Sequence, residues 1–267
     1  MQHPTAQHDD PDRASRVSRA EFRPNLSIDV MIRNIASVVL MLVCTSVLGQ
    51  APLLPATTAR SWLLLDVTAN HLIGASNADD RVEPASLTKL VTAYVVFTTI
   101  KEGKLERGQV VPVSQKAWKT AGSKMFIEPK KSVTAEELLH GMIVQSGNDA
   151  SVALAEAVAG SEEAFAQQMN ATAKKIGLKN SNFVNASGLP DSKHYSTAFD
   201  LALVAAAIIR EFPDFYPLYA IKEYRYNNIT QANRNRLLWL DPNVDGLKTG
   251  HTDKAGFCLI ASAKRGD

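Results

Sequence analysis

The chain has 267 residues, 45% of them hydrophobic, with 29 basic against 27 acidic side chains. An apolar share of that size in a chain of this length supports one large core and excludes a disordered or low-complexity protein. A formal charge of +2 implies no polyanion-binding surface, and so no nucleic-acid partner.

Near the start, Met31-Ile32-Arg33-Asn34 introduces an apolar run from Ile35 to Leu48, followed by the small residues Gly49-Gln50-Ala51. This pattern predicts a secretory signal peptide. The run falls short of the about 20 apolar residues that a membrane span needs, so cleavage is expected rather than anchoring. Residues 1–30 are mixed in charge and unlike the basic start of such a leader, which places the expected start of translation at Met31. Residues 1–51 are therefore read as extension and leader, 52–60 as a Pro/Thr-rich spacer and 61–267 as the folded domain. Cys44 lies in the leader, leaving Cys258 as a single thiol with no internal disulfide even in an oxidising compartment.

Trp62–Val67 and Leu72–Ala75 read as a strand pair turning at Asn70. Leu87, Leu90, Val91, Tyr94, Val95 and Thr98 recur at helical spacing up to Gly103, and Gln109–Val113 suggests a short strand. Thr134–Ala173 is helical and Ala-rich, broken at Ser146-Gly147-Asn148 and at Gly160-Ser161. A loop with Gly188, Pro190 and Asp191 precedes a helix over Thr197–Arg210. Strand signals return at Tyr224–Tyr226, Val244–Thr249 and Phe257–Ala263. Strands at both ends with helices between predict an α+β fold in which the terminal strands share one sheet and the middle forms a helical lobe.

Three short motifs carry the chemistry. In Ser86-Leu87-Thr88-Lys89, positions i and i+3 of a helix share a face, so the amine reaches the hydroxyl. A first-turn position also sets Ser86 where unpaired N–H groups and the helix dipole favour negative charge. Partial desolvation of Lys89 near a second cation lowers its pKa and fits it to take the serine proton. Such a motif occurs by chance about once in a chain this long, and taken alone it is better explained by an N-cap serine with a solvated lysine. In Ser146-Gly147-Asn148, an extended segment turns a hydroxyl and a carboxamide to one cleft, Ser146 relaying a proton to the leaving amine and Asn148 holding an amide; helix capping is the bland alternative. In Lys248-Thr249-Gly250, a strand edge offers a cation and a hydroxyl to a carboxylate, while Gly250 admits a substrate backbone; a hairpin turn is the bland reading. The three together in this order are a coincidence at the level of roughly a few in a thousand.

The grouping is the signature of penicillin-binding proteins and class A β-lactamases. Pro84–Lys89, Gln145–Asp149 and Val244–Gly256, with Asn180–Phe183 and Asn233–Trp239 between them, resemble the low-molecular-mass D-alanyl-D-alanine carboxypeptidases of serine peptidase family S11 from about Trp62 to Ala263. The resemblance implies a serine β-lactamase/transpeptidase-like fold, an antiparallel sheet flanked by helices with a helical lobe, and a periplasmic or cell-envelope location. It implies no cofactor and no metal. Its substrate is the peptidoglycan pentapeptide, its inhibitors are β-lactam antibiotics, Ser86 is the nucleophile and Lys89 the base. Ser146 shuttles the proton, and Asn148, Lys248, Thr249 and Gly250 bind substrate. The backbone N–H groups of Ser86 and His251 form the oxyanion hole. A D,D-endopeptidase on cross-links, or a penicillin-binding sensor without turnover, are the alternatives.

Two departures qualify the resemblance. Glycine stands where class A β-lactamases have aspartate in the middle motif, and the loop Ser187–Thr197 holds Asp191 but no glutamate, so a slowly hydrolysed penicillin adduct is expected. Family members also continue beyond the equivalent of Asp267 with more sheet and helix, a β-rich domain and an amphipathic membrane helix. The catalytic domain is therefore expected to be incomplete at its C-terminus and the anchoring helix absent. Of the histidines, His71 and His140 are given no role and His194 is placed in the loop within reach of substrate. No zinc-hydrolase spacing and no nucleophile elbow occurs.

Overall fold

The computed structural model describes residues 26–45 and 57–266. The chain divides into two compact units, Met1–Pro55 and Ala56–Asp267. In the first, helix α1 runs over Leu26–Thr45. No helix among the described residues is long and apolar enough to cross a membrane. The predicted cleavage site at Gly49–Ala51 lies outside the described residues.

The second unit opens with β1 (Trp62–Asp66) and β2 (His71–Ser76), paired antiparallel. Asn70 turns the chain at φ +51, the left-handed region that Asn tolerates better than most residues. A 3-10 turn, Ala85–Thr88, then feeds α2 (Lys89–Lys101). Helix α2 is buried on nearly every side through Leu90, Val91, Ala93, Val95, Val96 and Phe97, as a central helix must be.

Around it stand α3 (Gln115–Lys119), α4 (Ala135–Val144), α5 (Asn148–Ala159), α6 (Glu162–Ile176) and α7 (Ala198–Glu211). Their limits follow from local chemistry. Thr134 and Glu137 close a reciprocal capping box on α4, and Ser161 and Thr197 cap α6 and α7 by accepting the N–H of Ala164 and Asp200. Gly160 and Gly177 end α5 and α6 at φ +78 and +102, where a side chain is strained.

Hairpin β3 (Glu223–Tyr226) and β4 (Ile229–Ala232) turns at Asn227-Asn228, both at positive φ, the geometry of a two-residue primed turn. A short helix α8 (Leu237–Leu240) leads to the long hairpin β5 (Val244–Thr252) and β6 (Gly256–Ala263).

Two details differ from the sequence pattern. Gln109–Val113 makes only the bridge Val110 to Thr134, with Val111 buried and Val110 exposed. The described strands form three separate two-stranded ladders, and those of the two ends are not hydrogen-bonded to one another. Instead, β1 packs on α7, and β5 packs on the 3-10 turn.

Candidate active site

Ser86 sits in the 3-10 turn just ahead of α2, and the α-helix proper opens at Lys89. Lys89 is 2% exposed, and its amine lies 3.0 Å from Ser86 Oγ, 2.7 Å from Asn148 Oδ1 and 2.6 Å from the Ser187 carbonyl. Burial holds its pKa well below the ordinary lysine value. Repulsion from Lys248 and Arg234 adds to this, and Asp149 opposes it.

Ser146-Gly147-Asn148 is not extended. Ser146 adopts φ +61 and Asn148 opens α5, so a tight turn brings the motif to the site. The Asn148 carboxamide spans the floor, accepting from Lys89 and donating to the Ala121 carbonyl at 2.7 Å. Ser146 Oγ is buried with no hydrogen-bond partner among the described residues.

Lys248 lies buried on β5, its amine donating to the Thr249 carbonyl at 2.9 Å. Burial, then repulsion from Arg234, lowers its pKa to about 7. At Gly250 a Cβ would stand 3.0 Å from the Ser86 backbone nitrogen and 3.2 Å from Ala85 Cβ. Its hydrogen lets β5 close on the Ser86 turn. Thr249 is half-buried, and His251, two positions further along β5, is exposed with its ring against Phe257.

Sequence reasoning misses several parts. The buried Asp149 carboxylate accepts the N–H groups of Met125, Phe126, Ile127 and Ala150 at 2.9–3.3 Å, fixing the segment that holds Asn148. Arg234, on the loop before α8, is the cation that acts on both site lysines. The Ser187 carbonyl is presented by Asn185, whose Oδ1 accepts from the backbone of Ser187, Gly188 and Leu189. An Asn three residues before a Gly is the only signal for that turn. His194 does not face a substrate cleft: it is 3% exposed, and its ring meets the Thr88 hydroxyl at 2.8 Å. No cluster of three or more His, Cys, Asp or Glu suited to a metal occurs among the described residues.

A serine paired with a buried lysine one helical turn on, in this α+β frame, defines the penicillin-binding class of serine β-lactamase-like proteins. The chain belongs to the D-alanyl-D-alanine carboxypeptidase family, whose profile matches residues 48–267. It is 44% identical over 220 residues to the D-alanyl-D-alanine carboxypeptidase DacC of Escherichia coli, covering 80% of this chain and 55% of that protein. Penicillin binding protein 6B from Escherichia coli superposes with a TM-score of 0.78 at 43% identity, covering 82% of this chain and 71% of that one. Penicillin-Binding Protein D2 from Listeria monocytogenes in its ampicillin-bound form gives 0.72 at 29% identity, covering 80% and 88%. The chain spans about half the length of the curated relatives it matches.

Proposed function

We propose that this chain carries the catalytic machinery of a serine D-Ala-D-Ala carboxypeptidase, which removes the terminal D-alanine of peptidoglycan stem pentapeptides and is acylated by β-lactams. The observation that carries the reading is the set of three acceptors around the Lys89 amine. A charged ammonium would donate to all three; a neutral amine has two N–H groups, which suit Asn148 Oδ1 and the Ser187 carbonyl, and a lone pair left for the Ser86 proton. The lowered pKa of Lys89 favours that neutral form.

Ser86 Oγ attacks the carbonyl between the last two D-alanines while its proton passes to Lys89. The oxyanion is held by the backbone N–H groups of Ser86 and His251. The unpartnered Ser146 hydroxyl hands a proton to the leaving D-alanine nitrogen, Asn148 orients the peptide amide, and Lys248 with Thr249 takes the terminal carboxylate in the added field of Arg234. Gly250 keeps β5 close to Ser86. Water activated by Lys89 then hydrolyses the ester. A β-lactam, whose carboxylate and strained amide imitate the dipeptide, acylates the same oxygen.

The reading assigns residues 1–51 to a cleaved leader, 52–60 to a spacer and 61–267 to the penicillin-binding catalytic domain, working in the cell envelope. Mass spectrometry after incubation with penicillin should show one adduct on the protein and none on Ser86→Ala. D-Alanine should be released from a pentapeptide. An adduct that persists in Ser86→Ala would refute the assignment.

A further inference from the structure

Resting on that reading, we infer that His194 is a positioning residue, which clamps the loop bearing the Ser187 carbonyl to the nucleophile turn and so sets the place of the Lys89 amine. Its ring is buried between two elements. On one side, Nε2 lies 2.8 Å from Oγ1 of Thr88, the residue that joins the Ser86 turn to Lys89. On the other, Nδ1 accepts the backbone N–H of Val184 at 3.2 Å. A neutral imidazole has one donor and one acceptor nitrogen. Since Nδ1 faces an N–H, the proton sits on Nε2 and is donated to Thr88.

The Val184 end of this bridge leads directly into the loop. Its carbonyls at Ala186 and Ser187 accept from Thr92 and Lys89 at 2.7 and 2.6 Å. Gly188 then passes so near the nucleophile turn that a Cβ would stand 1.8 Å from the Ala85 carbonyl and 2.8 Å from Thr88 Oγ1. The Thr88 hydroxyl is thus boxed between the imidazole and the glycine, next in sequence to the base.

Protonating the ring would set an Nδ1–H against the Val184 N–H and break that anchor. Its surroundings resist this: burial lowers the pKa to about 4, the Asp191 and Glu83 carboxylates oppose the shift, and Lys89 adds to it. These are the charged groups that act on the ring from the loop, from the segment before the turn and from α2. The clamp therefore stays neutral, and holds, above about pH 4.

Two amide variants divide the ring's two contacts. In His194→Gln the amide reaches the Nε2 position and keeps the donor to Thr88. In His194→Asn the amide oxygen reaches only the Nδ1 position, keeping Val184 and losing Thr88. Both are compared with the unchanged protein for the second-order rate of penicillin acylation against pH, alongside their thermal transitions. Acylation of the unchanged protein by itself checks the proposed function, so its failure is read separately. We expect His194→Gln to stay within about threefold of the unchanged protein and His194→Asn to fall by about tenfold or more. The acid limb of the His194→Asn profile should move to lower pH, because a retreating Ser187 carbonyl stabilises the charged amine less. Equal rate losses that merely track lost thermal stability, with an unmoved pH profile, would overturn the inference. So would two variants that both acylate at the original rate.

Discussion

At the scale of single residues, the proposed function gives the two buried lysines opposite tasks. Lys89 must be neutral to accept the Ser86 proton, so acylation rises as pH climbs through its lowered pKa. Lys248 must be charged to hold a carboxylate, and with a pKa of about 7 it loses that charge as pH rises through that value. A bell-shaped profile of kcat/KM is expected, its limbs belonging to the interacting pair rather than to either amine. Arg234 repels both ammonium forms. Removing its charge in Arg234→Gln raises both pKa values, and both limbs should move to higher pH; limbs that stay put would show that the arginine field is screened. Lys89→Met should leave Asn148 Oδ1 and the Ser187 carbonyl without their donor and Ser86 without a base. Its acylation rate, followed with a labelled penicillin, should fall about a thousandfold or more.

At the scale of elements, the candidate site brings three backbone segments into close contact. Gly188 and Gly250 face the nucleophile turn from two directions. Gly188 is the less replaceable, since it combines φ +84 with a Cβ position 1.8 Å from the Ala85 carbonyl. Gly188→Ala must push the loop and its Ser187 carbonyl away by roughly an ångström, which at a reacting centre costs about a hundredfold in rate. The thermal transition and the acylation rate of that variant check this together, with a larger loss expected in the rate. The same elements show what could be read in advance. Helices α2 and α4 to α7 were legible because their apolar spacing, capping Ser and Thr residues and terminal glycines agree with one another. Ser86, Lys89, Asn148 and Lys248 stand out in the sequence because their motifs are side-chain patterns. The Ser187 carbonyl does not, since a backbone acceptor leaves no mark in composition. For Asp149, nothing in the sequence marks the four backbone N–H groups that it accepts. His194 looked like a loop residue, and only the long-range approach of Thr88 makes it a buried one. Strand β4 was missed because Ile229–Ala232 alternates too weakly over four residues.

At the scale of the whole molecule, β6 is the least protected element of the second unit. Among the described residues its only ladder partner is β5. Its outward residues include Phe257, 93% exposed, and Leu259, 51% exposed, so an apolar strip lies next to a row of unpaired backbone groups. Phe257–Ala263 contains no charge and no proline, the composition that lets an exposed edge template another chain. Leu64 and Ile73, on β1 and β2, are each 50% exposed as well, which adds to the apolar surface. This chain alone should therefore associate as its concentration rises, through edge pairing rather than through its closed helical core. A lysine placed outward on β6 taxes a second chain with burying its charge and leaves the half-buried β6 residue Ile260 untouched. Leu259→Lys is expected to lower the concentration dependence of light scattering and of the sedimentation coefficient, with little change in the thermal transition. A chain that remains monomeric at every concentration without the substitution would show that the strip is already covered, and by something other than the described residues.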